Sequence, residues 1–431
     1  MLGSMAKRLR FVFLIITLII IALVWGRSSA AEDRAASKAE RIEELVARYG
    51  KYGYLNGVVL VAEHGEIIYE KGVGYANMET HVPNTPRTKF GIASLTKQFT
   101  AALVLQQVAE GKVGLDGKVS DYLPWYRKDT GGRMTIEQVL HHTAGLPPDF
   151  DMPEFGDSEA AARHYEPQAF AEKFCQQTLV SEPGTKWAYS NCGFNLLGLI
   201  LEHVSGKSFG DLLREKLLEP LGMKDTGMDR NDLVQMGGAA GYRRHAGPRY
   251  TRGPYQDRVH FFSAGGMYST AEDLFRWSKA FYGDVGFVPK EIREQMVKPG
   301  INDWGYGWFA RQVGRGEPGA GSVLVEMRGD MTGNYFSWIL LYPEQNDVII
   351  VLRNGYGSTE RLEQNIQAIL FDMEPRIPSR NTKDLAALAI LVPSRWVATH
   401  RVLSLLIALV AAAAIWQAAR RKRTIEVSKQ A

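Results

Sequence analysis

Residues 90–100 read FGIASLTKQFT, and the residues behind them carry the apolar spacing of a buried helix. Leu95, Phe99 and Leu103 recur at positions i, i+4 and i+8, and Gly111 provides a typical stop signal. Apolar side chains at this spacing share one face of a helix, and such a face packs into a core. The stretch therefore predicts a largely buried helix that begins close to Leu95 and ends before Gly111.

Ser94 and Lys97 lie in the first turn of this predicted helix, three residues apart and so on the same face. A serine hydroxyl becomes a good nucleophile only when a nearby base takes its proton. Burial disfavours the ammonium form of lysine and lowers its pKa by up to about 3–5 units, so a buried lysine can act as that base. The free N–H groups of the helix N-terminus would stabilise an oxyanion at the serine. The pattern alone is weak, because Ser4 and Lys7 repeat it in a basic flank where no chemistry is expected.

The composition is that of an ordinary globular protein: 431 residues, 45% hydrophobic and 23% charged, with a net charge of +4. So small a charge, without a long basic block in the central region, does not support nucleic-acid binding. No group of cysteines and histidines has the spacing of a zinc site, and we expect no metal or other cofactor. Cys175 and Cys192 would form a disulfide only if the domain is exported, and the sequence leaves that pairing open.

The N-terminus has the layout of an export signal. Basic residues at 7–10 precede an apolar run at 11–25, and small residues follow at 28–31. The apolar run would rise only about 22 Å as a helix, which is short for a hydrocarbon core of about 30 Å. We interpret residues 1–31 as a signal peptide, with an uncleaved N-terminal anchor as the alternative.

The C-terminus has the layout of a membrane anchor. Residues 402–419 contain no charged side chain, and the basic run RRKR follows directly at 420–423. An uncharged run of this length fits a membrane span, and positive charge marks the cytoplasmic side. We therefore predict a transmembrane helix at 397–419 and a basic cytoplasmic tail at 420–431, which places the preceding domain on the periplasmic or extracellular side of the cytoplasmic membrane. The alternative is that 402–419 is a buried helix of a soluble protein.

Residues 32–374 form the predicted globular domain, and residues 375–396 a linker with a candidate interfacial helix. Strand-like runs lie at both ends of the domain, with helical patterns between them. We predict an α+β fold, in which an antiparallel sheet is built from both ends of the domain and a helical lobe is inserted between them. The strand-like runs are 57–61, 67–69, 305–310, 323–326, 335–341 and 348–352.

A second candidate motif, Tyr189-Ser190-Asn191, precedes a strongly apolar helix at 196–204. A tyrosine and an asparagine two residues apart on a loop can both face one pocket. Tyr189 could relay a proton, and Asn191 could hold Lys97 or a substrate amide by hydrogen bonds. Because Tyr-x-Asn also occurs at 54–56 and 75–77, the motif gains weight only from its context.

The combination of Ser94-x-x-Lys97, the HTAGLP stretch at 142–147 and the YSN stretch at 189–191 resembles the serine β-lactamase and penicillin-binding protein family. The likeness is greatest to its class C and DD-peptidase-like branch, which also contains esterases and D-amino-acid peptidases. It extends over about residues 50–370. Longer segments that also resemble this family lie at 183–198, 220–223, 263–274 and 304–308.

The resemblance implies a β-lactamase/transpeptidase-like fold and a role for each motif residue. Ser94 would be the acylated nucleophile and Lys97 its base. Tyr189 would share the proton transfer and protonate the leaving group, and Asn191 would orient the substrate. In this family the HTAGLP stretch is a structural turn, so His142 is expected to pack rather than to act as a base.

The family's third motif, Lys/His-x-Gly on the innermost strand, matches residues 327–334 only in part. Gly329 and the later Gly333 fit, and the backbone N–H of Asp330 could complete an oxyanion hole with that of Ser94. Met327, however, stands where a Lys or His would help to hold a substrate carboxylate. Arg328 could substitute for it, but adjacent residues of a strand face opposite sides.

The sequence therefore predicts a membrane-anchored serine hydrolase that acts through a Ser94 acyl-enzyme on esters, amides or D-amino-acid peptides. The expected partner is a small-molecule, peptide or ester substrate, which could derive from the cell wall, and no nucleic acid. The departure at Met327 favours esters or neutral amides. Two alternatives stay open: a true β-lactamase or DD-carboxypeptidase, and a catalytically impaired domain that senses cell-wall or lipid ligands.

Overall fold

The computed structural model describes residues 38–149, 152–156, 159–245, 250–282, 289–331, 333–356 and 360–376. Contacts divide the chain into two units, residues 1–375 and 376–431, and the fold below is that of the first. The predicted signal at 1–31, the predicted membrane helix at 397–419 and the tail at 420–431 lie outside the described residues. Within those residues, no helix combines the length and the apolar character that crossing a membrane requires.

A six-stranded antiparallel sheet forms the centre of the domain, with strand order β10-β11-β12-β13-β1-β2. The first strand pairs with the last long one, from Gly57 with Arg353 to Ala62 with Val348, so the two ends of the domain meet in one sheet. The predicted α+β fold is therefore confirmed. The strands of this sheet are β1 (Gly57–Glu63), β2 (Glu66–Val73), β10 (Phe309–Gln312), β11 (Val323–Met331), β12 (Tyr335–Tyr342) and β13 (Asp347–Arg353).

Short strands form three smaller sheets around the central one, in the orders β14-β7-β8, β3-β4 and β5-β9-β6. The last of these sheets positions the candidate nucleophile, because β5 leads directly into the Ser94 turn. The short strands are β3 (Tyr75–Asn77), β4 (Val82–Pro83), β5 (Phe90–Gly91), β6 (Gly227–Met228), β7 (Tyr242–Arg244), β8 (Tyr250–Arg252), β9 (Met267–Ser269) and β14 (Gly355–Tyr356).

Most helices lie between β2 and β10 in sequence and form the inserted lobe. The described part of an N-terminal helix, α1, covers residues 38–51. The remaining helices are α2 (Thr96–Ala109), α3 (Val119–Tyr122), α4 (Lys128–Gly131), α5 (Ile136–Leu140), α6 (Pro167–Phe174), α7 (Asn191–Ser205), α8 (Phe209–Leu213), α9 (Glu219–Leu221), α10 (Phe262–Gly265), α11 (Ala271–Tyr282), α12 (Lys290–Val297) and α13 (Glu360–Leu370).

Both faces of β1 are buried, and this explains its continuous apolar run. Successive side chains of a strand point to opposite faces. Val58 and Leu60 accordingly pack with the inserted lobe, whereas Val59 and Val61 pack with α1 and α13 on the other face. A strand covered on both sides reads as unbroken hydrophobic sequence, unlike a half-exposed strand, which alternates. The sheet is thus a rigid support for the strand β11 at the edge of the candidate site.

Candidate active site

Ser94 lies in a 3-10 turn, Ala93–Leu95, that leads directly into α2. Every other residue of the stretch 90–100 is buried, so Ser94 is the one position of that stretch with partly accessible surface. Ala93 has a φ of +48°, in the region that favours glycine, and its carbonyl accepts a hydrogen bond from Thr96 Oγ1 at 2.8 Å. This tight turn presents the serine hydroxyl at the edge of a buried helix.

Lys97 is completely buried and binds three oxygen atoms. Its Nζ lies 3.2 Å from Ser94 Oγ, 2.7 Å from Asn191 Oδ1 and 2.7 Å from the carbonyl of Ala264. Burial lowers the pKa of Lys97 well below its ordinary value, and the nearby negative charge of Asp149 opposes that shift. The structure therefore brings Lys97 and Ser94 together, with a neutral amine favoured by the surroundings.

Tyr189 contacts the Ser94 hydroxyl from a second segment of the chain. It lies just before α7, and its OH donates a hydrogen bond to Ser94 Oγ at 2.7 Å. Burial raises the pKa of Tyr189 above its ordinary value, which keeps the side chain a phenol and a proton donor. Ser94 Oγ is thus placed between an amine and a phenol.

Asp149 is a site residue that the sequence did not indicate, since it falls in the Pro- and acid-rich loop after the HTAGLP stretch. It is 3% exposed and receives hydrogen bonds at the N-terminus of α7. Ser190 Oγ donates to Oδ1 at 3.1 Å, and the backbone N–H groups of Cys192, at 3.0 Å, and Asn191 donate to Oδ2. Burial raises the pKa of this carboxyl to about 6, although these hydrogen bonds act in the other direction. Asp149 caps the helix that carries Asn191 and follows Tyr189.

His142 packs beside the site. Its ring centroid lies 4.4 Å from that of Tyr189 and 4.7 Å from that of Trp304. Its Nδ1 accepts the backbone N–H of Ser190 at 3.2 Å, and burial lowers the pKa of the imidazole well below its ordinary value. Its contacts make His142 a support for the Tyr189 turn.

Gly329 brings β11, beyond its pairing with β10, against the segment that carries Ser94. A methyl group added at Gly329 would lie 2.1 Å from the carbonyl oxygen of Ile92 and 2.2 Å from Ser337 Oγ. Ser337 Oγ itself donates to the Ile92 carbonyl at 2.7 Å. No side chain fits in this space, so the backbone of β11 can approach Ser94 as closely as the third motif requires.

The residues on either side of Gly329 face in alternating directions. Met327 is buried in the core on the lobe side of the sheet. Arg328 is exposed on the opposite face, where its guanidinium carbon lies 3.8 Å from the ring centroid of Trp338. Asp330 is also exposed. The structure therefore does not bring the Arg328 side chain to Ser94. The expectation that Arg328 could replace the missing cation is wrong, because side chains alternate along the strand and that of Arg328 lies on the other face.

Replacing Gly329 by alanine is expected to lower the free energy of unfolding by about 1–3 kcal/mol, because the added methyl forces β11 away from Ile92. Urea unfolding of the purified domain measures this. Gly210 is a matched control, since a methyl group there meets only Met228 Cγ at an ordinary 3.4 Å. Gly210 lies within α8, so Gly210→Ala is expected to be neutral or stabilising. Equal stability of the Gly329 variant and the wild type would contradict the close approach.

A disulfide joins Cys175, directly after α6, to Cys192 in the first turn of α7, with their Cα atoms 5.2 Å apart. The sequence left this pairing open. The bond ties the N-terminus of α7, which follows Tyr189, to a neighbouring helix. Among the described residues, no group of histidine, cysteine, aspartate and glutamate side chains is arranged to hold a metal ion.

Comparison with known proteins identifies the family. Residues 39–372 match the model of the beta-lactamase family. The chain belongs to that family. The family predicted from the three motifs is therefore confirmed, and so is its fold class.

Two curated proteins illustrate what this beta-lactamase family protein is similar to. Penicillin-binding protein 4* of Bacillus subtilis is 28% identical over 391 residues, which cover 84% of this chain and 83% of the relative. Protein flp of Staphylococcus aureus is 28% identical over 326 residues, covering 73% of this chain. The match spans only 63% of the length of that relative.

Solved structures show the same fold. The octameric penicillin-binding protein homologue from Pyrococcus abyssi is 28% identical, with a TM-score of 0.67 and 78% of each chain covered. A penicillin-binding protein from Bacillus halodurans is 26% identical, with a TM-score of 0.64, and covers 76% of this chain and 98% of its own. The D-amino acid amidase from Ochrobactrum anthropi, at 24% identity and a TM-score of 0.62 over 79% of this chain and 96% of its own, is similar in fold alone.

Proposed function

We propose that this beta-lactamase family protein is a serine hydrolase that transfers acyl groups through Ser94. One observation carries the proposal: Ser94 Oγ lies 3.2 Å from the Nζ of a fully buried Lys97 and 2.7 Å from the hydroxyl of Tyr189. A nucleophile, a neutral base and a proton donor within hydrogen-bond reach are what acyl transfer needs.

The proposed reaction starts when the neutral amine of Lys97 takes the proton of Ser94 Oγ. The oxygen then attacks the substrate carbonyl carbon, and the backbone N–H groups of Ser94 and Asp330 receive the oxyanion. As the carbonyl re-forms, the bond to the leaving group breaks, and Tyr189 supplies the proton that the leaving group needs. Tyr189 regains a proton from the Lys97 ammonium. Water then attacks the acyl-enzyme by the same route, which releases the acid and restores Ser94.

The substrate class follows from the chemistry around β11. Met327 brings no cation to the lobe side of the strand, and Arg328 faces the other way. A carboxylate on the leaving-group side, as in penicillins or peptidoglycan termini, therefore lacks a partner there. We favour esters and neutral amides.

An active-site fluorophosphonate and a fluorescent penicillin, applied to wild type and Ser94→Ala, test this function. Fluorophosphonate labelling that depends on Ser94, without penicillin labelling, is the expected result. Labelling by both reagents would instead favour a β-lactamase or DD-carboxypeptidase. Labelling by neither, with the domain folded by circular dichroism, would overturn the hydrolase and favour a sensor domain.

We further propose that residues 32–374 form the exported hydrolase domain, tethered to the cytoplasmic membrane through 397–419, with 375–396 as linker. The uncharged run before RRKR supports the tether, and the Cys175–Cys192 disulfide supports an oxidising compartment. Protease is added to sealed right-side-out vesicles, in which the cytoplasmic side of the membrane is enclosed. It is expected to digest the domain and spare a tag on the C-terminal tail. Digestion of the tag with the membrane intact would contradict this topology.

A further inference from the structure

A cavity of about 300 Å³ lies beside the far end of β11, and no step of the proposed reaction uses it. Its walls come from the segments 229–235 and 252–258 and from the turn between β11 and β12. The charged residues that line the cavity are two arginines and one aspartate. The lining includes Asp229, Arg252, Tyr255, Arg258, Asn334 and Tyr335.

The walls of this cavity touch the elements that carry the Ser94 site. A methyl group added at Gly91, three residues before Ser94, would lie 3.0 Å from the ring of Tyr335. The backbone N–H of Asp229 donates to the carbonyl of Gly266 at 2.8 Å, two residues after the Ala264 carbonyl that Lys97 binds. Two residues of the cavity wall therefore pack against the segments that flank Ser94 and the Ala264 carbonyl.

Arg258 reaches β11 from this cavity. Its guanidinium contacts the sulfur of Met331, which faces the same side of the strand as Gly329, two residues earlier. The Arg258 side chain is only 11% exposed. A positive charge is thus held next to the strand, on the far side of Gly329 from Met327.

The guanidinium of Arg258 is incompletely satisfied by the described residues. Its Nε pairs with Asp229 Oδ2 at 3.2 Å, and its Nη1 meets only the thioether of Met331, a weak acceptor. A guanidinium has five N–H donors in a planar fork that suits a carboxylate. Arg258 lies in the cavity wall, and its N–H donors beyond those that Asp229 and Met331 use can bind a further oxygen ligand there.

We propose that this cavity is an anion subsite, in which Arg258 binds a carboxylate at the far end of the substrate's acyl group. The proposal rests on acyl transfer at Ser94 and adds its substrate class. The two ends of β11 then differ in charge. No cation is present at Met327, on the side of the leaving group, whereas Arg258 places a cation beside Met331, on the side of the acyl group. Esters and amides of dicarboxylic acids fit this arrangement.

Two esters with the same leaving group and acyl length test the subsite: the 4-nitrophenyl half-ester of adipic acid and 4-nitrophenyl hexanoate. The wild type is expected to prefer the half-ester at least about tenfold in kcat/KM, and Arg258→Lys to lose most of that preference. Lysine keeps a cation beside the buried Asp229, so the variant is expected to fold. Arg230→Lys is the control, because Arg230 is exposed and does not line the cavity.

Binding of adipate to the Ser94→Ala protein, measured by calorimetry, separates the subsite from the reaction. If adipate binds and Arg258→Lys weakens its binding, the subsite is supported even if neither ester is hydrolysed. The absence of ester hydrolysis would then count against the hydrolase alone. Hydrolysis of hexanoate with no preference for the half-ester, or equal preference in wild type and Arg258→Lys, would overturn the subsite and leave the hydrolase standing. Absence of adipate binding would also overturn the subsite.

Discussion

Replacing Lys97 by methionine is expected to lower kcat for 4-nitrophenyl hexanoate by at least about 1,000-fold, because general-base catalysis and the nucleophile both depend on this amine. Lys97 Nζ is 3.2 Å from Ser94 Oγ, and methionine fills the same space without a proton acceptor. The release of 4-nitrophenol under saturating substrate measures the effect. Lys112→Met is the matched control, since Lys112 is an exposed lysine paired with Glu110. Thermal unfolding must show both variants folded.

The pH dependence of the wild type gives a second readout of the same prediction. Burial lowers the pKa of Lys97, and only the neutral amine accepts a proton. Activity should therefore rise with pH as Lys97 loses its proton, at a pH below the ordinary value for lysine. The residual activity of Lys97→Met should lack this rise. A variant within tenfold of the wild type, or with the same pH profile, would show that another group is the base.

Short-range patterns predicted the parts of the site that depend on one element. Ser94 and Lys97 meet because residues three apart share a helix face, and the tight approach of β11 is possible because residue 329 is a glycine. Asn191 was expected to hold either Lys97 or substrate, and the structure places its Oδ1 2.7 Å from Lys97 Nζ. The strand-like runs at both ends of the domain likewise predicted one antiparallel sheet, and β1 pairs with β13 as expected.

Contacts between distant segments were beyond the sequence patterns. Asp149 caps a helix that begins 42 residues later, and Arg258 meets a methionine 73 residues away. No spacing rule relates such positions, because the partners come together only when the lobe folds onto the sheet. Arg328 shows the opposite case. Strand alternation predicts that its side chain faces away from that of Met327, although the two residues are adjacent, and the structure agrees.

Asp149→Asn is expected to lower kcat above pH 7 by about 30- to 150-fold, which corresponds to about 2–3 kcal/mol. The carboxylate accepts hydrogen bonds from Ser190, Asn191 and Cys192, and so it fixes the turn that carries Tyr189. Its charge also favours the ammonium that Lys97 becomes when it takes the serine proton. Asparagine removes the charge and directs N–H donors at backbone N–H groups.

A control for simple loss of a helix cap is Asp121→Asn. Asp121 accepts the backbone N–H of Lys118 at 2.8 Å at the start of α3, where it is exposed. Both substitutions replace a carboxylate that binds backbone N–H groups, but only Asp149 influences Lys97. Steady-state kinetics of the two variants should therefore separate the electrostatic and positioning role from the cap. Equal losses of activity in the two variants would contradict this role.

Activity and stability should respond to pH in opposite directions at Asp149. Burial raises its folded-state pKa from 3.8 to about 6, so the folded protein binds this proton more tightly than the unfolded chain. As pH rises through that window, the wild type loses stability relative to Asp149→Asn, by roughly 1–3 kcal/mol in total. Over the same window the wild type gains activity relative to the variant, because the ionised carboxylate supports Lys97. Urea unfolding and kcat, measured on both proteins from pH 4.5 to 7.5, test the two trends. A purely structural role would make activity follow stability, and parallel trends would therefore refute the electrostatic link between Asp149 and Lys97.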